Sequence, residues 1–204
     1  REVKKAIGTR FIGAGLELGG KDPAYVRSDC NFEHAVENLV DGSYFNSGQS
    51  CCGIERIYVD ESIFDNFVEA FKIQTEKYNL DNPLDQSTNL GPVVKLSAAN
   101  NIRNKVLKAI NEGAKNIIDG SNFKKDNSEN CYVSPSALIN VSHDMEFMME
   151  ETFGPTVGIM KVKNEKDAEV LMNDSAYGLT ASVWTSDKEF AANFGNKIQT
   201  GTFF

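Results

Sequence analysis

Two cysteines stand side by side in Phe45-Asn46-Ser47-Gly48-Gln49-Ser50-Cys51-Cys52, immediately ahead of a strand-like run over residues 53–60. A cysteine attacks as its thiolate, and with a free pKa of about 8.5 only a few per cent is ionised at pH 7. Each pKa unit of lowering is worth about 1.4 kcal/mol. Converging backbone N–H groups and a close general base are the usual means of activation, and the Gly48 turn offers such a backbone. The plain alternative is a pair of small core residues at a strand entrance. Glu17 is the second residue of chemical interest. It is flanked by Leu16 and Leu18 and followed by Gly19-Gly20, where a carboxylate is costly to bury unless it is paired, protonated or needed. Desolvated, it would have a raised pKa and serve as a general base acting through a water. Pointing outward from a strand end, it would simply be solvated.

Elements must hold these residues in place. A helix tail is expected near Val3 to Ile7, and "FIGAGLELGGKDP" reads as an apolar strand running into a glycine-rich loop. "NFEHAVENLVDGSYF" carries Phe32, Ala35, Val36, Leu39 and Val40 at helical intervals and delivers the chain to the cysteine turn. "GIERIYVD" is a strand and "ESIFDNFVEAFKIQTEKY" a helix. "KLSAANNIRNKVLKAINEGA" is a helix stopped at Gly113. Strands are expected in "KNIIDG", "YVSPSALINV", "PTVGIMKVK" and "LTASVWTS", and helices in "NEKDAEVLMND" and "SDKEFAANFGNKI". The stretch over residues 120–130 is a loop within the domain. This alternation predicts an α/β fold of three layers, a mostly parallel sheet with helices on both faces.

Composition removes several function classes. With 29 acidic against 21 basic side chains the net charge is -8, and no basic cluster stands ready for a phosphate backbone, so nucleic acid is not an expected partner. No run of about 18 apolar residues predicts a membrane helix. The cysteines Cys30, Cys51, Cys52 and Cys131 form no CxxC pair and His34 and His143 no HxxxH, so no metal site is expected. Sparse cysteine without a targeting segment fits the reducing cytoplasm. The chain opens on Arg1 rather than Met and reads as a piece of a longer polypeptide.

Four stretches carry a family resemblance: "LELGGKDP" at residues 16–23, "FNSGQSCC" at 45–52, "EETFGP" at 150–155 and "NDSAYGLTASVWTSD" at 173–187. In this order, and with 34 residues separating Glu17 from Cys51, they resemble the successive signatures of the aldehyde dehydrogenase superfamily. The resemblance implies that Cys51 is the nucleophile, forming a thiohemiacetal whose oxyanion is held partly by the Cys51 N–H, and that Cys52 is a pocket or core neighbour. Hydride loss to the nicotinamide would leave a thioester, which water activated by Glu17 would hydrolyse. Glu151 and Phe153 resemble the positions that meet the nicotinamide ribose and ring, and Leu18 and Gly19 resemble backbone positions beside the nicotinamide. Read without the resemblance, "MEFMMEETFGP" is a helix end closed by Gly154 and Pro155 with solvated acids.

The family's dinucleotide domain and an oxyanion-stabilising Asn precede the segment matched here. Residues 1–204 are therefore expected to be the catalytic domain, residues 1–15 being a remnant of the preceding cofactor domain, with the full cofactor-binding domain and the oligomerisation arm absent. The implied cofactor is NAD or NADP, the partner an aldehyde, and the parent protein a homo-oligomer, dimer or tetramer. Two other activities compete: a coenzyme A-acylating relative, against which Glu17 argues, and a cysteine esterase or hydrolase using His34 or His143. A non-catalytic scaffold is the remaining reading.

Overall fold

The structure, a computed structural model, describes residues 2–204. Seven strands form one sheet: β1 (Asp22–Val26), β2 (Ile54–Asp60), β3 (Lys115–Asn116), β4 (Ser136–Ile139), β5 (Thr156–Val162), β6 (Thr180–Trp184) and β7 (Thr202–Phe203). Their spatial order is β3-β4-β5-β2-β1-β6-β7, and all pairings are parallel except the β3–β4 edge. The expected mostly parallel α/β sheet is thus present.

Strand periodicity divides the core in two. Ala24, Val26, Ile57 and Val59 face one side, where they pack with Leu39 and Val40 of α2 (Phe32–Tyr44) and with Phe67 and Phe71 of α3 (Phe64–Thr75). Tyr25 and Tyr58 face the other side, with Ala168 and Met172 of α6 (Glu165–Asn173) and Phe194 of α7 (Lys188–Gly195). Each fully buried phenylalanine contributes about 1.5–3 kcal/mol. α4 (Leu96–Asn111) and the short α5 (Glu146–Met149) close a third cluster with Ala109, Leu138, Phe147 and Met148. Side chains of Asn31, Asn164 and Asp187 cap α2, α6 and α7 by accepting first-turn N–H groups. Gly113, at φ 111°, follows the end of α4 as expected.

Four local expectations are corrected. The apolar run over residues 11–18 is an exposed coil, and the strand forms later, at Asp22–Val26, in the stretch read as a loop. Repeated glycine in that run costs backbone entropy, and no layer covers it to repay the cost. Pro23 is tolerated in an interior strand because the β1–β2 register shifts between Asp22 and Pro23, and pairing with β6 begins only at Ala24. "KNIIDG" yields only the two-residue β3, the antiparallel edge. The helix in "MEFMMEETFGP" stops at Met149, before the acids, and "TGTFF" adds an unforeseen edge strand, β7. The expected N-terminal helix is α1 (Glu2–Ile7), which buries none of its residues.

Candidate active site

Because β5, β2, β1 and β6 are parallel neighbours, the segments that lead into them lie side by side at one edge of the sheet. These lead-ins are residues 150–155, 45–53, 16–21 and 174–179, the same four stretches singled out in the sequence. Open α/β sheets more often gather ligands at the carboxyl ends of their strands. Here the chemistry-bearing residues collect at the amino ends.

The cysteine turn is held rigidly. Asn46, Ser47 and Gly48 adopt left-handed φ values of 51°, 58° and 69°. The Ser47 hydroxyl donates to the Gly91 carbonyl at 2.7 Å, and the Gln49 side chain accepts from the Val94 N–H at 2.8 Å while donating to the Asn46 carbonyl at 3.1 Å. Gly48 has no alternative: a Cβ there would stand 1.9 Å from the Gly154 carbonyl oxygen. Cys51 and Cys52 are both exposed. Of the two places expected for Cys52, the core is corrected, since the turn sets both residues ahead of the buried part of β2. Among the described residues the Cys51 N–H donates to no acceptor.

Gly19 and Gly20 form the seam between this turn and the next. A Cβ on Gly20 would lie 2.7 Å from the Cys51 carbonyl oxygen, and one on Gly19 would lie 2.0 Å from a carboxylate oxygen of Glu151. The Gly20 N–H donates to Glu151 Oε1 at 3.0 Å. Partial burial raises the Glu151 pKa, and the Gly20 hydrogen bond opposes that rise. Lys105 Nζ donates to the Glu151 carbonyl at 2.6 Å, and Phe153 sits at φ 55° with its ring partly exposed. Gly19, Gly20, Cys51 and Glu151 are thus brought together. Leu18 and Glu17 lie in the exposed lead-in, where Glu17 makes no hydrogen bond among the described residues. Of the two orientations open for Glu17, the solvated one is observed, because residues 8–18 are exposed throughout.

Several partners went unnoticed in the sequence. Glu55 and Lys21, buried in an apolar setting, form an ion pair at 2.5 Å. The available signal was Glu55, a charged residue inside a strand-like segment. Tyr177 donates its hydroxyl to Glu150 Oε2 at 3.1 Å and lines an open cleft of about 620 Å³ with Leu16, Leu18, Gly19 and Gly178. Asp22 accepts from the Thr180 hydroxyl at 2.6 Å, and burial pushes its pKa up to about 6 against that hydrogen bond. The half-buried carboxylate of Glu151, with Oε2 accepting nothing among the described residues, and the partly exposed Phe153 ring fit a ribose hydroxyl and a flat heteroaromatic ring. Among the described residues no group of three or more His, Cys, Asp or Glu side chains could hold a metal ion, and no helix is long and apolar enough to cross a membrane.

Comparison with known proteins places this arrangement in a class. The model of the aldehyde dehydrogenase family matches residues 1–204, and the chain belongs to that family. It is similar to the 3-sulfolactaldehyde dehydrogenase of Priestia aryabhattai, 36% identical over 199 residues that make up 98% of this chain and 40% of the relative. It also resembles the lactaldehyde dehydrogenase of Methanococcus maripaludis (strain C5), 34% identical over 91% of this chain and 38% of that protein. Among solved structures, a betaine aldehyde dehydrogenase of Staphylococcus aureus in complex with NAD+ superposes with a TM-score of 0.89 at 33% identity, over 99% of this chain and 40% of that one. The chain spans about 40% of the length of these relatives.

Proposed function

We propose that the protein carrying this chain oxidises an aldehyde to a carboxylic acid with NAD or NADP, and that Cys51 is its nucleophile. The observation that carries this reading is the exposed Cys51, with an uncommitted N–H, seamed through Gly20 to Glu151. The Cys51 thiolate adds to the aldehyde carbon, and the Cys51 N–H donates to the oxygen that becomes negative. A bound nicotinamide dinucleotide supplies the hydride acceptor. Glu151 and Phe153 orient it, one by accepting from ribose hydroxyls and the other by ring contact, while Leu18 and Gly19 allow its close approach. Glu17 then takes a proton from the water that attacks the Cys51 thioester, releasing the acid and the thiolate. Glu17 starts from an exposed lead-in, so this role requires it to reach the thioester from there.

Residues 1–204 serve as the catalytic domain, and residues 1–15, with α1 burying nothing, belong with the cofactor domain of the parent. NAD therefore binds weakly or not at all to the chain alone. The parent is a homo-oligomer, and its free thiols suit the cytoplasm. A cysteine hydrolase finds less support: His143 is bonded to Tyr58 and Asp174, and His34 to Asn38, so neither imidazole hydrogen-bonds to the cysteine turn. The exposed Glu17 keeps coenzyme A-dependent release as the second reading. Turnover by the full-length protein over an aldehyde panel with both cofactors tests the proposal. Cys51→Ser should abolish dinucleotide reduction, and Glu17→Gln should reduce about one equivalent and then stall. Full activity in Cys51→Ser would refute the assignment, and release that depends on coenzyme A would favour the second reading.

A further inference from the structure

Glu55 lies four residues after Cys51, near the start of β2, and is buried. A buried carboxylate needs partners for its lone pairs. One partner is Lys21 Nζ at 2.5 Å, and the others are backbone groups of the 150–155 lead-in: the Thr152 N–H at 2.9 Å and the Phe153 N–H at 2.9 Å. Lys21 is itself buried, lies 5.2 Å from the centre of the Phe147 ring, and directly follows Gly20, whose N–H holds Glu151. One carboxylate therefore links three of the four converging segments. Phe153 gives the link a physical purpose. An aromatic residue at φ 55° occupies a region that side chains disfavour, and such a conformation persists only where its surroundings over-determine it. The paired acceptors of Glu55 on consecutive N–H groups supply that constraint, aided by Lys105 on the Glu151 carbonyl.

On the functional reading above, we infer that Glu55 is a positioning residue for the dinucleotide: by fixing the Thr152 and Phe153 backbone it aims Glu151 and Phe153 at the nicotinamide half. Lys21 neutralises the carboxylate that does this. Burial lowers the Lys21 pKa and the Glu55 charge opposes that fall, so Lys21 relies on Glu55 to hold its charge.

The test uses the full-length protein, the dinucleotide that the wild type turns over, and the adenine mononucleotide half of that dinucleotide as a control probe. Glu55→Gln should raise the dinucleotide Kd at least tenfold while leaving the mononucleotide Kd within twofold. A second variant, Lys21→Met with Glu55→Met, replaces the pair with apolar side chains of similar size but leaves the two N–H groups without their acceptor. It should remain folded, with a thermal midpoint lowered by the loss of the acceptor for those N–H groups, and show the same selective loss in dinucleotide affinity. A merely structural role would lower the midpoint and leave the ratio of the two affinities unchanged. An active wild type whose folded variants keep that ratio would overturn the positioning role alone, and failure of both variants to fold would overturn it too. A wild type that neither binds a dinucleotide nor oxidises an aldehyde would instead remove the functional reading beneath it.

Discussion

At the scale of single residues, the two cysteines separate by what surrounds them rather than by burial, since both are exposed. Among the described residues neither N–H finds an acceptor, and what distinguishes Cys51 is its carbonyl, packed against Gly20 and so against the Glu151 seam, whereas the Cys52 sulfur lies 3.4 Å from the Ser50 hydroxyl. Cys52→Ala should therefore keep turnover within about threefold, under half of the roughly 1.4 kcal/mol that a factor of ten represents. Loss of a hundredfold or more would mean that the neighbours share the role. Iodoacetamide should label Cys51 well before Cys30, which is half-buried and whose thiol pKa is raised by burial. Asp22 offers a test by pH. Its folded pKa of about 6 lies above its ordinary 3.8, so its contribution to stability is fully present below pH 4 and is lost as pH rises through 6. The thermal midpoint of Asp22→Asn, relative to wild type, should accordingly be more favourable at pH 7 than at pH 4, and a difference that does not move with pH would contradict this.

At the scale of elements, the motifs were legible but their adjacency was not. The helices α2, α3, α4, α6 and α7 followed from apolar spacing and caps, because one face of each is buried and that leaves a period in the sequence. The strand order, which puts the lead-ins of β5, β2, β1 and β6 together, depends on pairing between segments far apart in sequence. No local pattern encodes it. β1 was misplaced because local apolarity favoured residues 11–18, while long-range pairing selected a stretch containing Pro23. Glycines at the seam carry the most specific element-scale prediction. Gly48→Ala would force a left-handed φ on a side chain and drive its Cβ into the Gly154 carbonyl, so it should cost about 3 kcal/mol of stability and most of the activity. Chemical denaturation would measure the first effect, and a variant as stable as wild type would show that the turn and the 150–155 lead-in can separate.

At the scale of the whole molecule, the chain carries an exposed thiol at the edge of a seven-stranded, mostly parallel sheet, and it spans about 40% of the length of its relatives. The coil over residues 8–18 is exposed, with Phe11 fully solvent-accessible, and α1 buries none of its residues; on the proposed reading this is the surface that the cofactor domain of the parent covers. Calorimetric titration of the chain alone with NAD should accordingly give weak binding or none, and tight stoichiometric binding would contradict the division of labour proposed here. The central claim concerns covalent chemistry at one sulfur, so the most direct measurement is of that bond. Full-length protein bearing Glu17→Gln, mixed with an aldehyde and dinucleotide and quenched in acid, should carry the acyl group as a thioester on Cys51 when its peptides are mapped by mass spectrometry. An acyl group on Cys52 or Cys131, or reduced dinucleotide formed with no acylated cysteine, would contradict it.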